Sequence, residues 1–158
     1  MPGTIDARLK TLGIDLPQPQ KPRVARIEGA ARLGNLLFVS GMIPQWEGEL
    51  PWVGKLGREF NLEQGQAAAR LSALNVLAQA RAALDDDLDR IVRITRVGGF
   101  VNCLPDFTEV GAVVNGASEL FLEIFGEHGA HARTAVGATS MPLGVAVEIE
   151  AIMEIHPD

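Results

Sequence analysis

Residues 147–155 alternate so regularly that they constrain the fold more than any other stretch. Val147, Ile149, Ala151, Met153 and Ile155 take one set of positions, while Glu148, Glu150, Ile152 and Glu154 take the other. Successive side chains of an extended segment leave on opposite faces, so this is a strand with one apolar side and one side rich in carboxylates. The apolar side has to be buried against another layer. The other side reads as the wet face of an edge or half-exposed strand, or as part of a site, because carboxylates in such a strand need water, a partner charge or a ligand.

Two segments have the pattern of covering helices. Asn61-Leu62-Glu63-Gln64 forms a capping box, a polar cap followed three residues later by Gln. Beyond it Leu74, Leu77, Ala78, Arg81 and Leu84 recur at helical spacing, and Asp85-Asp86-Asp87 ends the segment in a solvated turn. A second helix is expected to open at Pro105-Asp106-Phe107-Thr108. Val110, Val113, Val114, Ala117, Leu120, Phe121, Ile124 and Phe125 supply its buried face, and Gly126 stops it. Between these helices, residues 91–102 are β-branched and carry Val97-Gly98-Gly99, which suggests a strand with a bulge or a close approach.

Upstream, Thr4 is placed to cap a short helix with Ile5, Leu9 and Leu12 on one face and Gly13 at its end. Pro17, Pro19 and Pro22 then enforce an extended connector, so residues 1–22 form an N-terminal helix and connector. Residues 23–31 and 36–40 read as two antiparallel strands turning at Gly34-Asn35. A long loop punctuated by Gly41, Pro44, Gly48, Pro51, Gly54 and Gly57 follows. With strands near 133–139 and 144–155, the order is ββ(β)-α-β-α-β-β. This is an α+β chain in which helices cover one face of a mixed sheet, and residues 1–158 are expected to form a single domain.

The bulk composition narrows function. A net charge of −6 and a pI near 5.1, with scattered basic residues, argue against broad nucleic-acid binding, which needs a basic surface to displace counterions. The partner is more plausibly a small molecule. No apolar run approaches membrane-span length, and the N-terminus lacks a basic start followed by an apolar block, so no secretory signal is expected. One cysteine, Cys103, gives neither a disulfide nor a metal pattern and fits the reducing cytoplasm. His128 and His131 lie three apart without further ligands at supporting spacing, so they read as loop histidines, and neither a metal nor a cofactor is expected.

Arg133 opens an apolar run. Its guanidinium suits a planar carboxylate, since it donates two parallel hydrogen bonds and stays charged, or it pairs with a surface acid such as Glu127. Glu148 is either a solvent-facing carboxylate or a group that manages a water. Ser40 has no Gly-x-Ser-x-Gly setting and no His partner at motif spacing, so it is not a covalent nucleophile. Asn115 is a ligand contact or a polar surface residue, and Trp46 and Trp52 line a pocket or a subunit contact.

Leu37-Phe38-Val39-Ser40-Gly41-Met42-Ile43-Pro44, then Gly48-Glu49-Leu50, Asp106-Phe107, Ala132-Arg133-Thr134, Met141-Pro142 and Val147-Glu148-Ile149-Glu150 occur in that order. This set resembles the YjgF/RidA family, the reactive-intermediate deaminases also labelled endoribonuclease L-PSP. The resemblance implies a chorismate-mutase-like fold, a mixed sheet backed by two helices, assembled as a homotrimer with clefts between subunits. It implies hydrolysis of 2-imino or enamine acids to 2-keto acids and ammonia. Arg133 would bind the substrate carboxylate and Glu148 would handle water, with Ser40, Gly41, Asn115 and Ala135 lining the cleft. Retention of the same site for binding a small carboxylate without turnover is the alternative, and ribonuclease or translation-inhibitor activity fits the acidic chain least.

Four departures bear on the cleft. Met42 stands where the family has Gln, and Ala135 where it often has Cys. The family's N-terminal tyrosine segment has no counterpart. About four extra residues separate Phe107 from Asn115; inside a helix they would overshoot one turn by about 40° and leave Asn115 near its usual face.

Overall fold

A computed structural model describes residues 3–21 and 26–157. Five strands, β1 (Ala30–Leu33), β2 (Leu36–Met42), β3 (Ile91–Asn102), β4 (Ala132–Ala138) and β5 (Val147–Ile155), form one sheet. Their order is β1-β2-β5-β3-β4, with β3 and β4 parallel and every other neighbouring pair antiparallel. Three helices accompany it: α1 (Thr4–Leu12), α2 (Leu62–Ala83) and α3 (Val110–Phe125). The alternating strand is central rather than an edge, flanked by β2 and β3, and Val147, Ile149, Ala151, Met153 and Ile155 are all buried. They form one core with Ala69, Ala73, Val76 and Leu77 of α2 and Val113, Val114, Ala117 and Phe121 of α3.

The capping box at α2 forms as its sequence requires. Asn61 Oδ1 accepts from the Gln64 amide and Gln64 Oε1 accepts from the Asn61 amide, each at 2.9 Å. The two long helices meet closely at Gly116, where an added Cβ would strike the backbone carbonyl of Gln66. One residue earlier in α2, Gly65 leaves room for Leu56 and Val113.

Several elements depart from expectation. The first strand starts at Ala30; residues 23–25 of the expected strand lie outside the described residues, and 26–29 form a bend ending in a Ser40 N–H to Gly29 carbonyl bond of 2.9 Å. α3 begins at Val110, because residues 104–107 form a turn, with the Phe107 amide donating to the Leu104 carbonyl at 3.0 Å. Between Phe107 and Asn115 only Thr108 and Glu109 precede the helix, and residues 110–114 lie within it. The β3 and β5 register runs unbroken through Gly98↔Glu150 and Gly99↔Ile149 and shifts nearer the start of β3. Those glycines serve close approach instead, Gly98 to the Glu150 carboxyl and Gly99 to Val114. A register shift lies in β2 between Val39 and Met42, so Ser40 and Gly41 bulge opposite Glu150.

Thr4 is not the cap of α1. Gly3 holds that position without a side chain, and the Asp89 carboxylate caps the helix from outside, accepting from the Thr4 and Ile5 amides at 2.7 and 2.8 Å. An ion pair between Asp6 and Arg81 ties the same helix to α2. Gly13 ends α1 in the left-handed conformation, as its position suggests.

Asp89→Ala should destabilise the protein by about 1 kcal/mol in urea unfolding, the usual worth of a lost cap, and speed hydrogen exchange at Thr4 and Ile5. Gly116→Ala should cost about 1–3 kcal/mol, because the methyl meets rigid backbone rather than a side chain that can swing away. Equal midpoints for wild type and G116A would contradict the close helix contact.

Candidate functional site

The Arg133 side chain lies under α3. Its register partner Val97 is buried beneath the helices, which puts Arg133 on the covered side of the sheet at the β4 edge. Nη1 donates to Asn115 Oδ1 at 2.8 Å and to Ser118 Oγ at 3.2 Å, and Nη2 donates to the Gly111 carbonyl at 3.2 Å. Gly111, Asn115 and Ser118 follow one another at helical spacing, so one stripe of α3 grips the guanidinium. Of the five N–H groups of this cation, the Nε proton and one Nη2 proton are left over, and both are solvent-accessible because Arg133 is exposed. No ion pair joins Arg133 to Glu127 among the described residues.

The Ser118 hydroxyl also contacts His131 Nε2 at 2.8 Å, and His131 Nδ1 sits 2.6 Å from the Gly129 carbonyl. The imidazole stands edge-on to Phe121, with ring centroids 6.0 Å apart. Burial holds the imidazole below its ordinary pKa, against a smaller upward pull from the Gly129 carbonyl, and the charge of Arg133 adds the least, also downward. His131 is thus wired into the arginine rather than being a free loop residue. The sequence held a usable signal, since a residue two before Arg133 shares its face, and Gly111 and Ser118 flank Asn115 at −4 and +3.

Glu148 occupies the opposite side of the sheet. It stands between Val147 and Ile149, which face the helices, and pairs with Phe100. Its carboxylate lies against Gly41 in the β2 bulge, where any Cβ would collide with Oε1. Glycine at 41 is therefore a requirement of the carboxylate, since its φ lies outside the left-handed region. Burial, assisted by the charge of Glu150, pushes the Glu148 carboxyl above its ordinary value of 4.5. A hollow of about 590 Å³ opens beside it, lined by Ser40, Gly41, Met42, Ile43 and Leu143 among others. Leu143 is 70 % exposed and adopts φ 56°, an uncommon conformation for a leucine. The Ser40 hydroxyl donates to the Glu28 carbonyl at 2.6 Å, anchoring the segment that borders this hollow.

The expected site residues therefore fall into two groups. Arg133, Asn115 and Ala135 gather at the β4 edge, where Ala135 packs on the core; Ser40, Gly41 and Glu148 gather beside the β2 bulge. Within one chain the two groups do not meet. β3 separates β4 from β5, and Arg133 is level with Ala151 while Glu148 is level with Val136. Two strand spacings and a three-residue offset put their α-carbons about 14 Å apart, with side chains on opposite faces. Trp52 packs against the core with Phe60, whereas Trp46 is exposed. Cys103 is buried against Gly137. Among the described residues, no group of three or more His, Cys, Asp or Glu could hold a metal ion, and no helix is long and apolar enough to cross a membrane.

Residues 6–154 match the family described as "YjgF/chorismate mutase-like, putative endoribonuclease". Protein TCP17 of Trypanosoma cruzi is 43% identical over 155 residues, 98% of this chain and 96% of that protein. The crystal structure of Atu1372 from Agrobacterium tumefaciens, a protein of unknown function, superposes with a TM-score of 0.88 at 44% identity, covering 96% of this chain and 93% of that one. E. coli TdcF with bound serine is more distant, with a TM-score of 0.56 at 28% identity over 89% of this chain and 94% of that one. The α+β mixed sheet with its covering helices is the YjgF/chorismate-mutase-like fold, and the chain belongs to the YjgF/RidA family.

Proposed function

We propose that this protein is a hydrolytic deaminase of small 2-imino or enamine acids, releasing a 2-keto acid and ammonia at a cleft completed by a second copy of the chain in a homotrimer. The observation that carries this reading is the fixed guanidinium of Arg133, held on three sides with two N–H groups to spare. A carboxylate accepts such a pair in parallel. The serine bound to E. coli TdcF carries the same group. Acidity of the whole chain favours a small metabolite over RNA, and a lone buried cysteine suits the cytoplasm.

In this reaction water adds to the imine carbon, and its proton is taken up as the nitrogen becomes an amine. Collapse of the carbinolamine then expels ammonia and leaves the carbonyl. Glu148 suits both transfers, because a carboxyl raised above its ordinary range is a better base at neutral pH than a fully solvated one. The opposed faces of Arg133 and Glu148 are what call for a second copy. One subunit supplies the arginine and its neighbour the glutamate. The hollow beside Glu148, with Met42, Ile43 and Leu143 in its wall, accommodates the substrate side chain.

Release of ammonia and keto acid from enzymatically generated 2-iminopropanoate tests the reading. Arg133→Ala and Arg133→Lys should both lose about 10²-fold or more in kcat/KM, since lysine lacks the parallel pair. Glu148→Gln should lower kcat by about 10²–10⁴-fold. No acceleration over the spontaneous rate by wild type, combined with tight carboxylate binding, would identify a non-catalytic binder instead. R133A and E148Q mixed and refolded together should regain about a quarter of wild-type activity, the statistical share of sites with both groups intact; no recovery would place the pair in one chain.

The raised pKa of Glu148 also fixes a stability trend. The folded state favours the neutral carboxyl, so this contribution is fully present below 4.5 and is lost as pH rises through the higher folded value. E148Q should therefore unfold at a higher temperature than wild type at pH 8. That advantage should shrink as the pH falls to about 4, toward the ordinary carboxylate range.

A further inference from the structure

We infer that His131 is a positioning residue for Arg133, acting through Ser118 to hold the guanidinium in its carboxylate-receiving orientation. The inference rests on the carboxylate-binding role of Arg133 and adds to it a residue outside the cleft lining.

Proton accounting sets the direction of the chain. The Gly129 carbonyl only accepts, so at 2.6 Å the Nδ1 atom of His131 must carry the hydrogen. A neutral imidazole then presents a lone pair at Nε2, and the Ser118 hydroxyl, 2.8 Å away, must donate to it. With its own proton committed, Ser118 Oγ is left as an acceptor, and Arg133 Nη1 donates to it at 3.2 Å. The sequence Arg133 to Ser118 to His131 to Gly129 is a run of donors pointing one way, and each bond polarises the next.

A protonated imidazole would break this order. It would donate from both nitrogens, so Ser118 would face two donors and would have to turn its own hydrogen away. It would also set a second positive charge near the guanidinium. Half-burial in the angle between α3 and β4, with the Phe121 ring edge-on, keeps the imidazole neutral. Asn115 and Gly111 fix the remaining sides of Arg133, so the relay sets one of three contacts. A guanidinium held on the wrong rotamer would turn its two free N–H groups away from the ligand.

The inference is tested with the full-length protein and three variants, His131→Phe, His131→Gln and Ser118→Ala. Phe keeps the ring against Phe121 and removes the acceptor, while Gln can place its Oε1 where Nε2 lies and accept from Ser118. Long-range proton–nitrogen spectra should show His131 as the neutral Nδ1–H tautomer at pH 7. Rotation of the Arg133 guanidinium about its Cζ–Nε bond, followed by nitrogen NMR, should be faster in H131F and S118A than in wild type and near wild type in H131Q. With pyruvate as the probe, H131F and S118A should weaken binding about three- to tenfold, H131Q about twofold or less, and R133A far more.

An Nε2–H or charged imidazole at pH 7, unchanged guanidinium rotation in H131F and S118A, or a Gln variant as impaired as the Phe variant would each overturn the relay. The rotation and tautomer measurements need no ligand. Loss of the carboxylate role itself would show separately, as pyruvate binding that R133A leaves unchanged.

Discussion

Everything about the site depends on the side-chain alternation of a central strand flanked on both sides. β5 buries its apolar set beneath α2 and α3, which obliges Glu148 and Glu150 to occupy the bare face. Register through β3 then puts Arg133 on the covered face at the β4 edge. No side-chain rotation can bring a guanidinium round a hydrogen-bonded sheet edge to a carboxylate two strands away on the other side. The separation is a property of the backbone, fixed by the same burial that stabilises the fold.

α3 serves two purposes with two stripes. Val113, Val114, Ala117, Leu120 and Phe121 are buried in the core, and Gly111, Asn115 and Ser118 hold Arg133. Because Gly116 locks the helix against the α2 backbone, the polar stripe has little freedom to slide. The arginine is therefore aimed by core packing as much as by hydrogen bonds. This arrangement supplies the rigid support that a binding group needs to keep its geometry.

Much of the architecture was legible in sequence because it rests on local or periodic physics. The capping box, the apolar stripes of α2 and α3, the β-branched run of β3 and the alternation of β5 each identified its element. What stayed hidden depends on distant contacts. Thr4 has the chemistry of a cap, but a carboxylate from residue 89 does the work instead. The glycine pair in β3 left a bulge or a close approach open; the approach is to Glu150 and Val114, and the β2 shift that sets Gly41 against Glu148 had no such local sign. The six expected site residues read as one cleft, and sequence order gave no means of seeing that the sheet divides Arg133, Asn115 and Ala135 from Ser40, Gly41 and Glu148. The spacing of His131 from His128 carries no signal, whereas its period-two relation to Arg133 points to the shared contact with Ser118.

The capping of α1 by Asp89 has a further consequence for how the chain matures on the ribosome. A nine-residue helix with no side chain of its own at the cap is too short to persist alone in water. Its first segment leaves the exit tunnel earliest, yet its cap is synthesised 85 residues after Thr4. During that interval the helix lacks the carboxylate that caps it. Birth order and docking order are thus reversed for this helix, which closes onto a body already assembled from later-made parts.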